Sequence, residues 1–383
     1  MTDDTVIQAM QSWRHHLHRN PEFGFDLPDT ARFVVDTLRG LGVREIETGI
    51  GGSGVVATLR KGQGNRTIAL RADMDCLQIT EATGLPHASE RPGLMHACGH
   101  DGHTAILLGT AARLIADDSW DGVVRLVFQP AEEWGQGMKA MIADGLGQHL
   151  AFDEIYGLHG MPGLPVGSFA IRPGPFMGAE DGFRITVTGT GGHASRPHET
   201  SDAIVCACAL VGALQTVVSR EIDPAALAVL SVTAIHADNV RNAIAGTAVI
   251  EGDCRHFDDA VSARIEAAMT RIASGVAAAH GCTVSVDYDR VFVPLVNDPT
   301  ATAHAVAAAN TVFGPDQVTA EASRVGASED FAQALRFAPG AFGFIGNGDS
   351  APLHNAGFDF NDAALEHGLN WFVALVHARL PAA

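Results

Sequence analysis

Apolar runs of strand length alternate with helical patterns along the first part of the chain. Four such runs predict strands, at residues 54–60, 67–71, 122–128 and 154–158. A helix over residues 102–116 lies between the second and third runs, and further helices are predicted before residue 43 and after Gly137. This alternation predicts an α/β fold, in which helices cover both faces of a mostly parallel sheet.

The pattern changes after residues 172–175, Arg-Pro-Gly-Pro, which favour a linker. Beyond them the chain reads as strand, helix, two strands, helix and strand, the βαββαβ order of a ferredoxin-like domain. The α/β pattern then resumes and ends in a C-terminal helix. We therefore predict a catalytic domain over residues 1–178 and 291–383, interrupted by an inserted lid and dimerisation domain over residues 179–290.

Charge and composition narrow the range of partners. The chain has 44 acidic and 25 basic residues and a formal net charge of −19, so neither nucleic acid nor an anionic membrane surface is expected to bind it. Its most apolar run, residues 203–218, is shorter than the roughly 18 residues that span a bilayer. The N-terminus lacks a signal-peptide pattern and six cysteines are scattered, so a cytoplasmic location is predicted.

The densest group of metal-ligand side chains lies at residues 95–104, Met-His-Ala-Cys-Gly-His-Asp-Gly-His-Thr, where a helix is predicted to begin. Cys98 and His100 are two residues apart, and Gly99 between them allows both to face one ion. A polar loop with spare histidines is the alternative. The number of borderline and soft ligands in so short a segment favours a metal site.

Two adjacent carboxylates follow the strand at residues 122–128. Glu132 and Glu133 lie where α/β sheets place their ligands, beyond the carboxyl end of a strand. On an extended chain they point in different directions, so one could bind metal while the other acts as general base. An acidic helix N-terminus would explain the pair equally well if it stood alone.

Four further residues could complete such a site. His159 ends a strand and His354 lies in a loop before the last helix, although a single histidine is more often a core or surface residue. Asp73 and Asp75 alternate at a strand end. They could be ligands or could orient a ligating histidine, unless they only form salt bridges with nearby arginines.

Taken together, these motifs resemble the aminoacylase and carboxypeptidase family of co-catalytic metallopeptidases, in its hippurate hydrolase-like and auxin-conjugate hydrolase-like amidohydrolase branch. The resemblance covers nearly the whole chain, including Gly-Thr-Gly-Gly-His at residues 189–193 and Ser-Glu-Asp-Phe at 328–331. It implies Glu132 as general base and later proton donor. It further implies a site for two divalent metal ions, with Cys98 as the bridging ligand, formed by Cys98, His100, Glu133, His159 and His354.

The resemblance also implies roles for the inserted domain. His193 would hold the tetrahedral oxyanion and would come from the partner subunit of a homodimer or homotetramer. Asn242 and Arg255 look like substrate readers, and a guanidinium binds an α-carboxylate in a bidentate manner. Arg255 could equally stabilise the lid through Asp253 or Asp258. Thiolate and imidazole ligands suit zinc, while manganese, cobalt or nickel often activate members of this branch.

Two places depart from the family's usual pattern. Trp134 follows the glutamate pair where small or polar residues are common. Ala243 and Ile244 follow Asn242, where many relatives carry a run of the Val-Ile-Pro type. Both could reshape the acyl pocket. His96 and His103 are outside the implied ligand set, and we expect them to orient ligands or to pack against helices.

The function implied is hydrolysis of N-acyl amino acids, such as N-acetyl or N-benzoyl conjugates, to a carboxylate and a free amino acid. A dipeptidase or exopeptidase on the same fold is the alternative, although Cys98 among the ligands favours the amidohydrolase branch. A catalytically silent member that binds a small molecule is a third hypothesis, which a missing base or ligand would support. None is missing from the motifs.

Overall fold

The computed structural model describes residues 3–237 and 240–382. The chain forms two compact units. The first unit comprises Met1–Phe176, Val296–Ser323 and Asp330–Ala383, and the second comprises Met177–Leu295 with Arg324–Glu329. The functional division into a catalytic domain and a lid stays a prediction.

Helices and strands alternate through the described residues. Helices α1 to α8 span Asp3–Arg19, Pro28–Gly40, His100–Ala116, Gly137–Ala143, Ala203–Thr216, Asp259–Ala279, Pro299–Phe313 and Ala363–Arg379. Strands β1 to β8 span Glu45–Ile50, Gly54–Lys61, Thr67–Asp73, Gly122–Gln129, Glu154–Pro162, Phe169–Ala170, Gly174–Met177 and Ala179–Thr188. Strands β9 to β16 span Gly192–His193, Ala228–Ala237, Ala243–Ile244, Thr247–His256, Thr283–Phe292, Leu295–Asn297, Val318–Thr319 and Gly340–Gly348.

The first unit is built on an eight-stranded mixed sheet in the order β1-β2-β4-β3-β5-β16-β6-β15. The central strands β4, β3, β5 and β16 run parallel to one another, whereas β2 pairs antiparallel with β4. Strands β3, β4 and β5 are buried along nearly their whole length because helices and loops cover both faces. This burial explains why these strands read as continuous apolar runs in the sequence.

The second unit is a four-stranded antiparallel sheet in the order β10-β12-β8-β13, packed against α5 and α6. Its order along the chain, β8, α5, β10, β12, α6 and β13, is the predicted βαββαβ arrangement. Asp202 caps α5 by accepting from the backbone N–H groups of Ile204 and Val205, and Asp258 caps α6 through Ala260.

Residues 324–329 belong to the second unit, although the sequence pattern placed them in the catalytic domain. The reason is a backbone pairing between distant segments. The N–H of Gly178 donates to the carbonyl oxygens of Val325 and Ala327, each at 2.9 Å. The hydrophobic periodicity of the two segments gives no indication of these hydrogen bonds.

A π-helical turn, Val217–Glu221, continues helix α5 beyond the apolar run of residues 203–218, to the end predicted for this helix. Ala203–Glu221 then spans 19 residues with a mean hydropathy of 1.7, long and apolar enough by those two criteria to cross a membrane. Core helices pass the same test, and one face of α5 is buried in the second unit. That face consists of Ala203, Cys206, Ala207, Leu210 and Leu214.

Candidate metal centre

The predicted ligands of the first unit meet at the carboxyl ends of its central parallel strands. His159 lies in β5, and Glu132 and Glu133 form a short 3-10 turn, Glu132–Trp134, just beyond β4. Cys98 and His100 enter from the start of α3, which follows β3. Parallel strands bring these ends together at one edge of the sheet.

The ligand atoms form overlapping groups. Cys98, His100 and His159 offer atoms that all lie within 4.8 Å of one another, as do Cys98, Glu133 and His354. Cys98 Sγ is 3.3 Å from His159 Nε2, and Glu133 Oε2 is 3.6 Å from His354 Nε2. The structure therefore brings together all five residues predicted as ligands, and the thiol belongs to both groups.

Two buried polar atoms in this region lack a hydrogen-bond partner within the described chain, namely His100 Nε2 and Glu133 Oε1. The other ring nitrogen of His100, Nδ1, lies 2.9 Å from the carbonyl oxygen of Asp75 and 3.2 Å from its Oδ1. Nδ1–H is therefore the donor, and Nε2 faces the centre, where it would offer its lone pair to a bound cation after losing its proton. An orphaned imidazole nitrogen and carboxylate oxygen beside a thiol fit a divalent cation.

His159 is oriented in the same way. Its Nδ1 is 2.8 Å from the carbonyl oxygen of Gly160, which leaves Nε2 facing the Cys98 thiol. Burial, together with the neighbouring His103, holds the pKa of His159 well below its ordinary value. The imidazole is therefore neutral near pH 7, as ligation requires.

The centre favours positive charge. Burial opposes protonation of His100, yet Asp73, Asp75 and Glu133 raise its pKa to about 10. Burial also raises the pKa of Glu133 to about 7, against the attraction of His100. The ionised form of these carboxylates depends on a positive charge nearby. The group is therefore suited to hold a metal ion.

His103 is fully hydrogen-bonded. Its Nδ1 lies 2.7 Å from Asp73 Oδ1, and its Nε2 accepts from the N–H of Gly160 at 2.9 Å. The buried Arg71 also donates to Asp73, at 2.8 Å. Asp73 and His103 therefore support the strand end that carries His159, and Asp75 contacts His100. Their role in orienting metal ligands stays a prediction.

Glu132 is buried, with 6% of its surface exposed. Its Oε1 accepts from the backbone N–H of Asp330 at 3.3 Å. Three groups hold the Asp330 carboxylate, namely Arg71 Nη2 at 3.1 Å, Gln129 Nε2 at 2.6 Å and the N–H of Met138 at 2.9 Å. Sequence spacing indicates no role for these residues, although the Ser-Glu-Asp-Phe motif at residues 328–331 is a signal.

Backbone strain marks the same region. Among the described non-glycine residues, Ala131 and His354 are those with positive φ, at 51° and 62°. Ala131 precedes Glu132, and the N–H of His354 donates to the carbonyl oxygen of Ala97 at 2.8 Å. Strained conformations of this kind concentrate at functional sites.

The remaining predicted site residues lie in the second unit. His193 is exposed in β9, which pairs with β11, and the N–H of Ala194 donates to the carbonyl oxygen of Asn242 at 3.1 Å. The second unit thus places His193 close to Asn242.

Arg255 contacts Glu180 at 2.7 Å, Asp253 at 2.9 Å and the Ser328 hydroxyl at 3.0 Å. Asp253 is one of the two lid partners that the sequence suggests for Arg255. The other, Asp258, caps α6 instead. The guanidinium therefore already holds two carboxylates, and its role as a substrate reader stays a prediction.

Cysteine, histidine and glutamate side chains that converge at the edge of an α/β sheet, beside a second buried glutamate, are typical of metal-dependent hydrolases. Residues 69–378 match the family model described as peptidase family M20/M25/M40. The chain therefore belongs to this family, and the predicted family and α/β fold class are confirmed.

Relatives and a solved structure agree with this membership. The chain is 37% identical to a hippurate hydrolase of Campylobacter jejuni over 94% of each chain. It is 40% identical to an N-acyl-L-amino acid amidohydrolase of Geobacillus stearothermophilus over 77% of this chain and 79% of that one. A Bacillus subtilis crystal structure described as a dinuclear metal-binding peptidase of the M20 family has a TM-score of 0.86, 30% identity and 98% coverage of both chains.

Proposed function

We propose that this protein is a metal-dependent amidohydrolase that cleaves N-acyl amino acids to a carboxylate and a free amino acid. The observation that carries the proposal is the position of Glu132, buried beside five potential ligands, with a carboxylate oxygen within 4.8 Å of ligand atoms of His100 and Glu133. The names of its relatives agree with this activity.

We infer a site for two divalent ions with Cys98 between them, because the thiol belongs to two ligand groups. Bound ions would polarise the substrate carbonyl as Lewis acids and lower the pKa of water. Thiolate and imidazole suit zinc, and manganese, cobalt and nickel are the alternatives. The residues that would hold the ions are Cys98, His100, Glu133, His159 and His354.

Glu132 would accept the proton of the attacking water and later deliver it to the leaving amine. The hydrogen bond from the backbone of Asp330 fixes the orientation of its carboxylate. Because Arg71, Gln129 and Met138 hold Asp330 in turn, the base would be preorganised.

The second unit would bind the rest of the substrate. His193 Nδ1 accepts from the N–H of Ser195 at 3.1 Å, so its proton resides on Nε2. That N–H, on the partner subunit's His193, would donate to the oxyanion. Asn242 and Arg255 would read the amino acid, and Arg255 would have to exchange Glu180 or Asp253 for the substrate carboxylate.

We further propose a homodimer, or a homotetramer built from it, formed through the second unit. In the described sheet, β10 is an edge strand with β12 as its one neighbour. Val229 and Ile235 on this strand are 48% and 46% exposed, and Val205 on α5 is 52% exposed. An unprotected apolar edge pairs readily with another strand. Wild type should sediment as a dimer or tetramer and Ile235→Lys as a monomer, whereas a monomeric wild type would contradict the proposal.

A cytoplasmic location is also proposed. The described cysteines are all free, and the net charge is −19. Free thiols are typical of a reducing compartment. Fractionation of cells expressing the full-length protein would test this, and recovery in an exported or membrane fraction would contradict it.

The experiment that tests the activity uses metal-stripped protein, incubated with zinc, manganese, cobalt or nickel. N-acetyl and N-benzoyl amino acids and a plain dipeptide are assayed side by side. Metal-dependent release of the amino acid from the N-acyl substrates is expected. Preference for the dipeptide would instead indicate an exopeptidase, and ion binding without any turnover would indicate a silent binder.

A further inference from the structure

Trp134 is a large exposed side chain in the loop that carries Glu132 and Glu133. It follows Glu133 in the 3-10 turn, and 42% of its surface is exposed. Exposed tryptophans are costly, and at binding surfaces they recur as anchors. Its role is not explained by the ligand set or by the base.

The indole is held rigidly by the loop between α1 and α2. A Cβ added at Gly24 would lie 2.5 Å from two atoms of the Trp134 ring, so the ring lies against bare backbone. Phe23 and Phe25 meet the indole edge-on, with ring centroids 5.1 and 5.7 Å away and interplanar angles of 81° and 70°. Glycine at residue 24, with φ of +65°, is what allows this contact.

Backbone hydrogen bonds tie this aromatic surface to the metal centre. The N–H of Ala131 donates to the carbonyl oxygen of Gly24 at 3.0 Å, and the N–H of Gly135 donates to that of Glu132 at 2.8 Å. Trp134 and the ligand Glu133 are consecutive, so their Cα atoms are about 3.8 Å apart. The indole is therefore fixed in the same loop as the candidate ligand Glu133 and the candidate base Glu132.

We propose that Trp134, with Phe23 and Phe25 as its supports, is the residue that selects an aromatic acyl group in the substrate. This inference rests on the proposed amidohydrolase function and narrows its substrate class to N-aroyl amino acids. Aromatic pairs favour edge-to-face or offset-stacked contacts, which the exposed part of the indole offers to a benzoyl ring. The amino acid portion is left to the residues proposed in the second unit.

The test compares kcat/KM for N-benzoylglycine, N-acetylglycine and N-acetylphenylalanine in the metal-loaded wild type and in Trp134→Ala. The benzoyl to acetyl ratio should fall by about 3- to 10-fold in the variant, the size of one aromatic contact. Trp134→Phe should retain most of the ratio. Phe337→Ala is the matched control, because Phe337 is 43% exposed and its ring centroid lies 5.6 Å from that of Phe152 instead.

A binding measurement separates recognition from turnover. Titration calorimetry of the holoenzyme should show tighter binding of benzoate than of acetate, and Trp134→Ala should remove the difference. Equal loss for both acyl groups, or an unchanged ratio in folded Trp134→Ala and Trp134→Phe, would overturn the inference. So would a loss confined to N-acetylphenylalanine. No hydrolysis of any of these substrates by the wild type would instead contradict the proposed function.

Discussion

Two buried clusters of histidines and carboxylates share the first turn of α3, and they differ in how their charge is balanced. One is the metal centre, to which α3 contributes His100 and His103. The other, here called the Arg14 cluster, includes Asp101 of the same turn. Its members are Arg14, His18, Glu81, His87, Asp101, Asp359 and Asp362.

The Arg14 cluster contains its own cations. Arg14 Nη1 lies 3.2 Å from Asp101 Oδ2, and His18 Nδ1 lies 2.8 Å from the same oxygen. The neighbouring cation His18 holds the pKa of Asp101 far below its ordinary value even though burial opposes this. The cluster anchors α1 to α3, and the guanidinium of Arg14 supplies the positive charge that its carboxylates need.

At the metal centre the positive charges of the protein do not fully balance its carboxylates. Arg71 pairs with Asp73 and Asp330, while Glu133 Oε1 and His100 Nε2 have no hydrogen-bond partner among the described residues. The number of histidines therefore does not distinguish a metal site from a structural network. The distinguishing feature is a buried cluster whose protein cations fall short of its carboxylates and whose ligand atoms converge.

The largest expected effect is on catalysis at the metal centre. Glu132→Gln should lower kcat by about 10²- to 10⁴-fold, because the amide cannot accept the proton of water. Metal content, measured by mass spectrometry of the purified protein, should stay at the wild-type value. The exposed Glu366→Gln is the matched control and should keep full activity. Substantial turnover by Glu132→Gln would contradict its assignment as general base.

Removing a ligand should abolish the dependence of stability on metal. At free metal a thousandfold above Kd, binding stabilises a folded protein by about 4 kcal/mol. Cys98→Ala should lose most of that difference between metal-loaded and chelated protein in urea unfolding. His18→Gln, in the Arg14 cluster, should keep it. If His18→Gln lost the metal effect and Cys98→Ala did not, the two clusters would have been assigned the wrong way round.

Asp330 offers a subtler test of the same centre, because it acts through the base. Asp330→Ala should lower kcat by about 10- to 100-fold, the usual effect of losing a residue that supports an active-site group. KM and metal content should change little. A variant that lost its metals, or whose KM rose as kcat stayed constant, would show that Asp330 does not position Glu132.

The charge of His18, in the Arg14 cluster, should make the free energy of unfolding depend on pH. Burial lowers the pKa of His18, but Asp101 and Glu81 outweigh burial and raise it to about 9. Because the folded pKa lies above the ordinary value of about 6.5, this stabilisation is complete below pH 6.5 and is lost as pH rises through 9. A shift of this size corresponds to about 3 kcal/mol.

The measurement is urea unfolding of chelated protein at several pH values between 6 and 10. The difference in unfolding free energy between wild type and His18→Gln should shrink as pH rises through that window. A constant difference would mean that His18 is not charged in the folded protein.

Much of the candidate site could be predicted from sequence because its members are close together in short motifs. Cys98 and His100 bracket one glycine, and Glu132 and Glu133 are adjacent, so spacing and chemistry alone indicated ligands and a base. The strands of the first unit could be predicted because burial on both faces requires continuous apolar runs.

The roles of Asp330 and Arg71 could not be predicted in this way. Asp330 contacts Glu132 across 198 positions of sequence, and Arg71 contacts Asp330 across 259. Spacing says nothing about contacts over such separations. The same limitation explains residues 324–329, which join the second unit through pairing with Gly178.

The sequence by itself determined the α/β and βαββαβ order through local periodicity, the chemistry of the candidate ligands through residue type, and the family through the resemblance of its motifs. Only the tertiary structure decided which nitrogen of His100 faces the centre, what holds Glu132, and that Trp134 lies on Gly24 between two phenylalanines. Those features depend on sheet order and side-chain direction, which bring together segments that are distant along the chain.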